Sequence, residues 1–375
     1  MKILSYTRSG PGRKRDEGGS LKDEKIKKLP RKGIHKILIR GTNWIGDAIL
    51  TLPAVASIRA TYPQARIAML VKPWVADVYD IFSNLDEVIV YENKYDTATG
   101  VFGLARMLRE KQFDAAILLQ NAIEAAIIAL FARIPVRAGY NSDARGLLLT
   151  HSVPLTRDIK KVHQVNYYLE MVKALGCVSA NRDMNLETKI SREEAQNVLR
   201  RYVAPSQKML IGIAPGATYG AAKKWFPDRF AETLNRLDEQ FSVQGIILGG
   251  KADRITAEEV RTSARAETIN LAGETSLREA IYLISQCRLF ISNDSGLMHV
   301  AGALNVPTIA IFGSTNPTTT SPVGKQSLIV RKEVSCSPCL KKTCPTDFRC
   351  MNLITVEDVL SVAQTLLKDN RDKDQ

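Results

Sequence analysis

The chain has 375 residues, 45% of them hydrophobic and 24% charged, a globular composition with room for two domains that excludes a disordered or fibrous protein. No run of about 18 uninterrupted apolar residues occurs, since even the richest stretch, Ala122 to Val136, carries Glu124 and Arg133, so no membrane-spanning helix is expected. The net charge of +13 does not read as a nucleic-acid surface, because twelve Lys or Arg against four acidic residues sit in Met1 to Lys36 and no recognition motif accompanies them.

Residues 1–33 read as a basic tail rich in Gly, Ser and Pro, expected to be disordered and able at most to adhere to an anionic membrane face. The start lacks the apolar core and cleavage site of a signal peptide, so the expected compartment is the cytoplasm. From residue 34 the chain alternates short apolar runs with longer amphipathic ones, the pattern of parallel sheets covered by helices. In residues 34–182 the predicted strands are Lys36 to Ile39, Arg66 to Lys72, Glu87 to Tyr91 and Ala115 to Gln120. Residues 183–207 are polar and form a predicted linker, in which Ser191-Arg-Glu-Glu opens a helix through a capping box. Residues 208–368 form a second domain with strands at Met209 to Ala214, Gln244 to Leu248, Thr268 to Leu271, Leu289 to Ser292 and Thr308 to Phe312. A final helix, Val356 to Leu367, is opened by Thr355-x-x-Asp358, and residues 369–375 are a charged tail. The expected fold class is α/β, two Rossmann-like doubly wound domains, with ligands in an interdomain cleft beyond the carboxyl ends of the strands.

The informative turns are those that follow strands. Gly41 to Asp47 follows the first, and Asp47 stands where a helix begins, as a helix cap or as a carboxylate placed for proton abstraction. After the first strand of the second domain, Pro215-Gly-Ala-Thr218 is followed by Lys223-Lys-Trp225, and lysine is a point-charge partner for phosphate. Gly249 to Asp253 follows the next strand. Asp294-Ser295-Gly296 then interrupts the strand-to-helix passage Leu289 to His299, either as an ordinary N-cap with Asp294 or Ser295 bonding the backbone, or as a site where unpaired N–H groups at a helix start and a glycine admit an anion. His299, one turn further on, is either a phosphate or ribose donor or a histidine satisfied in a helix interface. No Gly-x-Gly-x-x-Gly follows a strand and no Walker lysine loop occurs, which argues against a dinucleotide oxidoreductase or a P-loop enzyme.

Trp44-Ile-Gly-Asp47, Pro215-Gly-Ala…Lys223-Lys-Trp225 and Asp294-Ser-Gly-Leu-Met-His299, in this order from about Lys36 to Lys368, resemble the ADP-heptose lipopolysaccharide heptosyltransferases of glycosyltransferase family nine. The resemblance implies a GT-B architecture and an inverting transfer from a nucleotide sugar. The second domain would hold the donor, ADP-heptose, and the first an acceptor that is a lipid-anchored glycan. It carries the general base onto Asp47 and the diphosphate contact onto Lys223, and the nucleotide turn onto Asp294, Ser295, Gly296, Leu297 and His299, with Gly216 and Thr218 beside them. Asp253 is the nearest candidate for the acidic ribose contact. Asn43, Trp44, Arg133, Arg137, Arg145 and His163 are candidates for the acceptor side, the arginines being equally readable as solvated or structural. The Asn43-Trp-Ile-Gly-Asp47 form and the cysteine segment look most like the heptosyltransferase II branch, which adds heptose to the first heptose of the inner core. Other expectations are peripheral contact with the cytoplasmic face of the inner membrane, a monomer, no nucleic acid partner and no obligate cofactor. No Asp-x-Asp stands between strands, so a metal is not implied and the need for Mg²⁺ stays open. Rival readings are heptosyltransferase I or III, a GT-B-shaped nucleotide-sugar epimerase, and a basic surface-binding protein.

Cys336, Cys339, Cys344 and Cys350 crowd into one segment; the first pair has metal-like spacing and the second does not. Free or structural thiols, a structural zinc and disulfides are the three readings, all of them outside the chemistry.

Overall fold

The computed structural model describes residues 4–5, 26–82, 84–95, 97–178 and 188–371, so most of the predicted basic tail, the start of the predicted linker and the last four residues lie outside the described residues. The chain divides into two units, residues 8–189 and residues 190–375 joined by residues 1–7. The division falls inside the segment read as a linker.

A two-residue strand, β1 (Leu4–Ser5), belongs to the second unit. The first unit is built on β2 (Lys36–Arg40), β3 (Arg66–Val71), β4 (Glu87–Val90), β5 (Ala115–Leu118), β6 (Val136–Tyr140) and β7 (His151–Val153). All pair in parallel, in the order β4-β3-β2-β5-β6-β7. The connecting helices are α1 (Ile45–Thr61), α2 (Ala76–Phe82), α3 (Ala98–Glu110) and α4 (Ile123–Phe131), with α5 (Gln164–Ala174) packed beside α1 after the last strand. Helices on both faces bury both faces of the sheet, so Ile37, Leu38 and Ile39 are all inaccessible. Leu38, Ala68, Leu70, Ala116 and Leu118 pack with Leu104, Leu108, Ala126 and Ala129 of α3 and α4. Residues 26–31 are not tail: Leu29 is buried and its N–H donates to Leu175 O, while Tyr62 Oη donates to Pro30 O.

The second unit opens with α6 (Arg192–Tyr202), where Ser191 Oγ accepts from Glu194 N at 3.0 Å as expected of a cap. The Glu194 carboxylate does not return the bond and accepts instead from Tyr282 Oη, so the box is half made. There follow β8 (Met209–Ala214), α7 (Pro227–Phe241), β9 (Val243–Ile247), α8 (Arg254–Ser263) and β10 (Thr268–Asn270). The second half of the unit runs α9 (Leu277–Ser285), β11 (Leu289–Asn293), α10 (Gly296–Ala303), β12 (Thr308–Phe312), α11 (Pro317–Thr320), β13 (Ser327–Arg331), α12 (Arg349–Asn352) and α13 (Val356–Arg371). The sheet order is β1-β13-β12-β11-β8-β9-β10, parallel except for β1. At α13 the predicted box is complete: Thr355 N–H donates to Asp358 Oδ2 at 2.9 Å and Asp358 N–H to Thr355 Oγ1 at 3.2 Å.

Counting within each unit and leaving β1 aside, both sheets run third-second-first-fourth-fifth-sixth. The chain reverses direction between the first and fourth strands, β2 beside β5 and β8 beside β11, and the crevice outside their carboxyl ends is where such sheets take ligands.

Candidate active site

In the second unit the reversal brings together the turns after β8 and β11. β11 ends in Asn293, whose side chain locks the two turns: Trp225 N–H donates to its Oδ1 at 2.9 Å and its Nδ2 donates to Pro215 O at 2.7 Å. The next residue, Asp294, is buried, and its Oδ2 accepts from Lys223 Nζ at 2.6 Å and from Thr315 Oγ1 at 2.6 Å. Ser295 is the N-cap of α10 by backbone geometry, yet its hydroxyl pairs with Ser292 Oγ at 3.0 Å and caps no N–H. Neither side chain expected to cap the helix does so. The first N–H groups of α10, at the half-exposed Gly296 and Leu297, are thus left to an external acceptor and carry the positive end of the helix dipole.

Lys223 ends a short helical turn, Ala221–Lys223, and its ammonium lies 4.9 Å from the Tyr219 ring centroid. The segment between Cys339 and Cys344 holds this turn: Ala222 N–H donates to Lys342 O at 3.0 Å, Tyr219 Oη to Leu340 O at 2.7 Å, and Leu340 N–H to Ser314 O at 2.8 Å. A Cβ at Gly220 would collide with the Lys342 carbonyl. At the β9 turn, Asp253 accepts from Gly250 N–H at 3.1 Å and stands 3.8 Å from Lys224 Nζ. A Cβ at Gly216 would sit on that carboxylate, so glycine there lets the β8 and β9 turns meet. Thr218 is exposed beside them. His299 is buried with Nδ1 unpartnered, as is Ser314 Oγ, next to the Thr315 that binds Asp294. Burial pushes the His299 imidazolium down to about 4, with the neighbouring Asp294 opposing and Lys223 reinforcing, so the ring is neutral at physiological pH.

In the first unit the reversal lies between the turns after β2 and β5. Asp47 stands half-buried in the first turn of α1, whose N-cap, Trp44, offers no side-chain cap. The buried Tyr168 of α5 is near enough for the Asp47 charge to add to the upward push of burial on its phenol. Asn43 accepts from Arg40 Nη2 at 3.1 Å on its side chain and from Trp74 Nε1 at 2.7 Å on its carbonyl. Trp44 and Trp74 are both more than half open to solvent or nearly so, at 61% and 50%. Beneath them lies a layer of charge at the strand ends. Arg40 is inaccessible and Lys72 nearly so, their cationic groups 5.3 and 3.8 Å from the Tyr91 ring centroid, and Tyr91 Oη donates to Glu124 Oε1 at 2.6 Å.

The three arginine candidates are not assembled there. Arg145 is fully buried with its guanidinium donating to Tyr140 O, Gln120 O, Leu118 O and Asn121 Oδ1, and burial lowers its pKa to about 10. Arg137 donates to Leu148 O and Ile134 O. Arg133 is exposed beyond the carboxyl end of α4, at the opposite end of the sheet from the β2 turn. His163 is buried as the N-cap of α5, its Nδ1 accepting from Val165 N–H at 3.2 Å. The three arginines are thus structural or displaced, whereas His163 opens the helix that packs beside α1, the helix of Asp47. Sequence reasoning missed Asn293, Thr315, Lys72 and Trp74. Each sits at or just past the end of a parallel strand, and inspecting every such end would have found them.

All four cysteines of the C-terminal segment are free thiols; Cys336 is exposed and Cys350 buried. They lie close enough that Cys336, Cys339 and Cys344 add to the upward push of burial on Cys350. No group of three or more His, Cys, Asp or Glu among the described residues is arranged to hold a metal ion, and no described helix is long and apolar enough to cross a membrane.

Residues 101–348 match glycosyltransferase family 9 (heptosyltransferase). The chain is 30% identical over 309 residues to lipopolysaccharide heptosyltransferase 2 of Salmonella typhimurium, covering 79% of this chain and 88% of the relative. It is 31% identical over 312 residues to lipooligosaccharide heptosyltransferase 2 of Haemophilus ducreyi, with the same coverage. Among solved structures, the E. coli ADP-heptose LPS heptosyltransferase II superposes with a TM-score of 0.78 at 28% identity, over 90% of this chain and 99% of that one. The two Rossmann-like units therefore have the expected GT-B type of architecture.

Proposed function

The chain belongs to glycosyltransferase family 9, the heptosyltransferases, and from that membership we propose that it transfers L-glycero-D-manno-heptose from ADP-heptose to the first heptose of the lipopolysaccharide inner core. The observation that carries the donor half is the uncapped start of α10 beside the Lys223–Asp294–Thr315 cluster. Oriented N–H groups and a lysine are what a leaving diphosphate needs, since charge appears there only as the glycosidic bond to ADP breaks. Asp253, held at the β8 and β9 turns, takes the ribose hydroxyls, and neutral His299 offers an N–H to ribose or phosphate.

On the acceptor side Asp47 accepts the proton of the attacking hydroxyl as that oxygen bonds to the anomeric carbon, giving inversion in one displacement. Trp44 and Trp74, exposed on either side of the Asn43 carbonyl, offer apolar faces to the acceptor sugars. The buried Arg40 and Lys72 add positive potential beneath them, suited to the carboxylates and phosphates of an inner-core glycan. The enzyme works as a monomer at the cytoplasmic face of the inner membrane, because the acceptor is anchored there.

The test is ADP release from ADP-heptose with heptosyl-Kdo2-lipid A, with Kdo2-lipid A, or with no acceptor, for the wild type and Asp47→Asn. Release is expected only with the heptosylated acceptor, with kcat about 10²- to 10⁴-fold lower in the variant and ADP affinity unchanged. Turnover on Kdo2-lipid A alone would reassign the acceptor, and full activity in the variant would return Asp47 to a helix-capping role.

A further inference from the structure

The richest apolar stretch of the sequence forms α4, and the part of it turned to solvent is apolar too. Ile123, Ile127, Leu130 and Phe131 recur at positions one, five, eight and nine of the helix, which is one helical face, and they are half-buried or exposed. A surface helix of a soluble protein carries its polar residues there. Neighbouring elements extend the face: Phe102 of α3 packs edge-on against Phe131 at 4.7 Å between ring centroids, and Leu147, in the short turn beside α4, is 97% exposed. Phe102, Phe131, Ile123 and Leu130 retain 53%, 47%, 42% and 37% of their surface, far more than isolated tolerated exposure.

The rim is basic. Arg106 and Arg109 follow Phe102 on the outward face of α3 at four- and seven-residue spacing, and Arg133 is exposed just beyond Phe131. Of the acidic residues in the two helices, Glu110 pairs with Arg106 at 3.7 Å, and Glu124 turns inward to Tyr91. The helix also has a meaningful place in the fold. α4 leaves the carboxyl end of β5, next to the β2 turn that carries Asp47, so the apolar face begins with Ile123 at the edge of the sheet proposed to take the acceptor and runs to Phe131 toward the opposite end.

We propose that the α3–α4 face, with Leu147, is the surface by which this protein lies on an anionic phospholipid bilayer, the apolar side chains entering the headgroup boundary and Arg106, Arg109 and Arg133 meeting lipid phosphates. The lipid reading rests on charge complementarity and on continuity with the acceptor edge, and its benefit to catalysis rests on the proposed lipid-anchored acceptor. A protein partner would be served by the apolar patch without a row of arginines along its rim. Docking would confine the enzyme to the surface where its acceptor is displayed and hold the Asp47 edge close to it.

The experiment compares the wild type with the triple variant Phe102→Ser, Leu130→Ser, Phe131→Ser, all at solvent-exposed positions, by flotation with phosphatidylcholine vesicles and with vesicles containing phosphatidylglycerol. Wild type is expected to float with the anionic vesicles and the variant to partition at least about tenfold less. ADP release with a delipidated, water-soluble acceptor should be equal in the two proteins, while release with vesicle-embedded acceptor should fall about tenfold in the variant. Equal flotation of the two proteins would overturn the proposal, and would assign any vesicle binding to the basic N-terminal segment that both retain. Loss of a concentration-dependent dimer in the variant, with vesicle binding unchanged, would overturn it in favour of self-association. Selective flotation without ADP release on any acceptor would leave the surface standing and remove the transferase reading instead.

Discussion

At the scale of single residues the proposed donor site turns on which groups Asp294 and His299 meet. Asp294 is the hub: it neutralises Lys223, binds Thr315 and leaves α10 uncapped. That Asp294, Ser295 and Gly296 would stand at a strand-to-helix turn was legible in the sequence, because an apolar strand gives way there to small polar residues. That Asp294 would turn away from the helix was not, since Thr315 reaches it only through the pairing of β11 with β12. Arg145 shows the converse. Its neighbours Asp143 and Ala144 take the left-handed conformation, and that turn buries the guanidinium among backbone carbonyls, a destination no spacing rule foretells. His299 has a measurable consequence. Its folded pKa is depressed to about 4 from an ordinary value near 6.5, so its contribution to stability is full above about pH 6.5 and is lost as pH falls toward 4. His299→Gln removes that titration. Chemical denaturation of both proteins from pH 7 to 4 should show the wild-type advantage shrinking by up to about 1.4 kcal/mol per pH unit, whereas a constant difference would mean that the ring is not held neutral.

At the scale of elements, nine of the thirteen strands among the described residues were predicted to within about two residues, and β1, β6, β7 and β13 were not. β6 contains Arg137 and Gly139, and β7 has three residues, so neither shows the apolar run that marks a buried parallel strand. β13 follows a Pro- and Gly-containing loop and reads as its continuation until its pairing with β12 is seen. The cysteine segment was read as lying outside the chemistry, but it braces the Lys223 turn through Lys342 O and Leu340 O. This bracing predicts a phenotype at a residue that touches no substrate. Gly220→Ala drives a methyl into the Lys342 carbonyl, so one of the two backbones must move. In steady-state assays KM for ADP-heptose should rise several-fold, with KM for the acceptor unchanged. A rise shared by both substrates would point to general unfolding instead.

At the scale of the whole chain, the alternation of strand and helix announced two doubly wound sheets. The sequence did not disclose that both sheets share one strand order, because pairing order is decided by crossovers that no local pattern records. Nor did it show that residues 26–31 pack against the first unit, since Lys27, Lys28 and Arg31 outweigh the single buried Leu29 in composition. The pairing of Lys223 with Asp294 and of Lys224 with Asp253 has a further meaning when the donor pocket is viewed as a whole. Lys223 and Lys224 are each matched by a carboxylate, so neither brings an unpaired charge to the proposed nucleotide site. On the proposed donor reading, attraction for ADP would then draw more on the helix dipole of α10 than on unpaired charge that mobile ions shield. Calorimetric titration with ADP should accordingly show the dissociation constant moving by less than about threefold between roughly 50 and 500 mM NaCl, and a tenfold weakening would reveal a cationic pocket after all. A donor pocket built this way would keep its hold on the doubly charged diphosphate of a nucleotide sugar as the surrounding salt concentration varies.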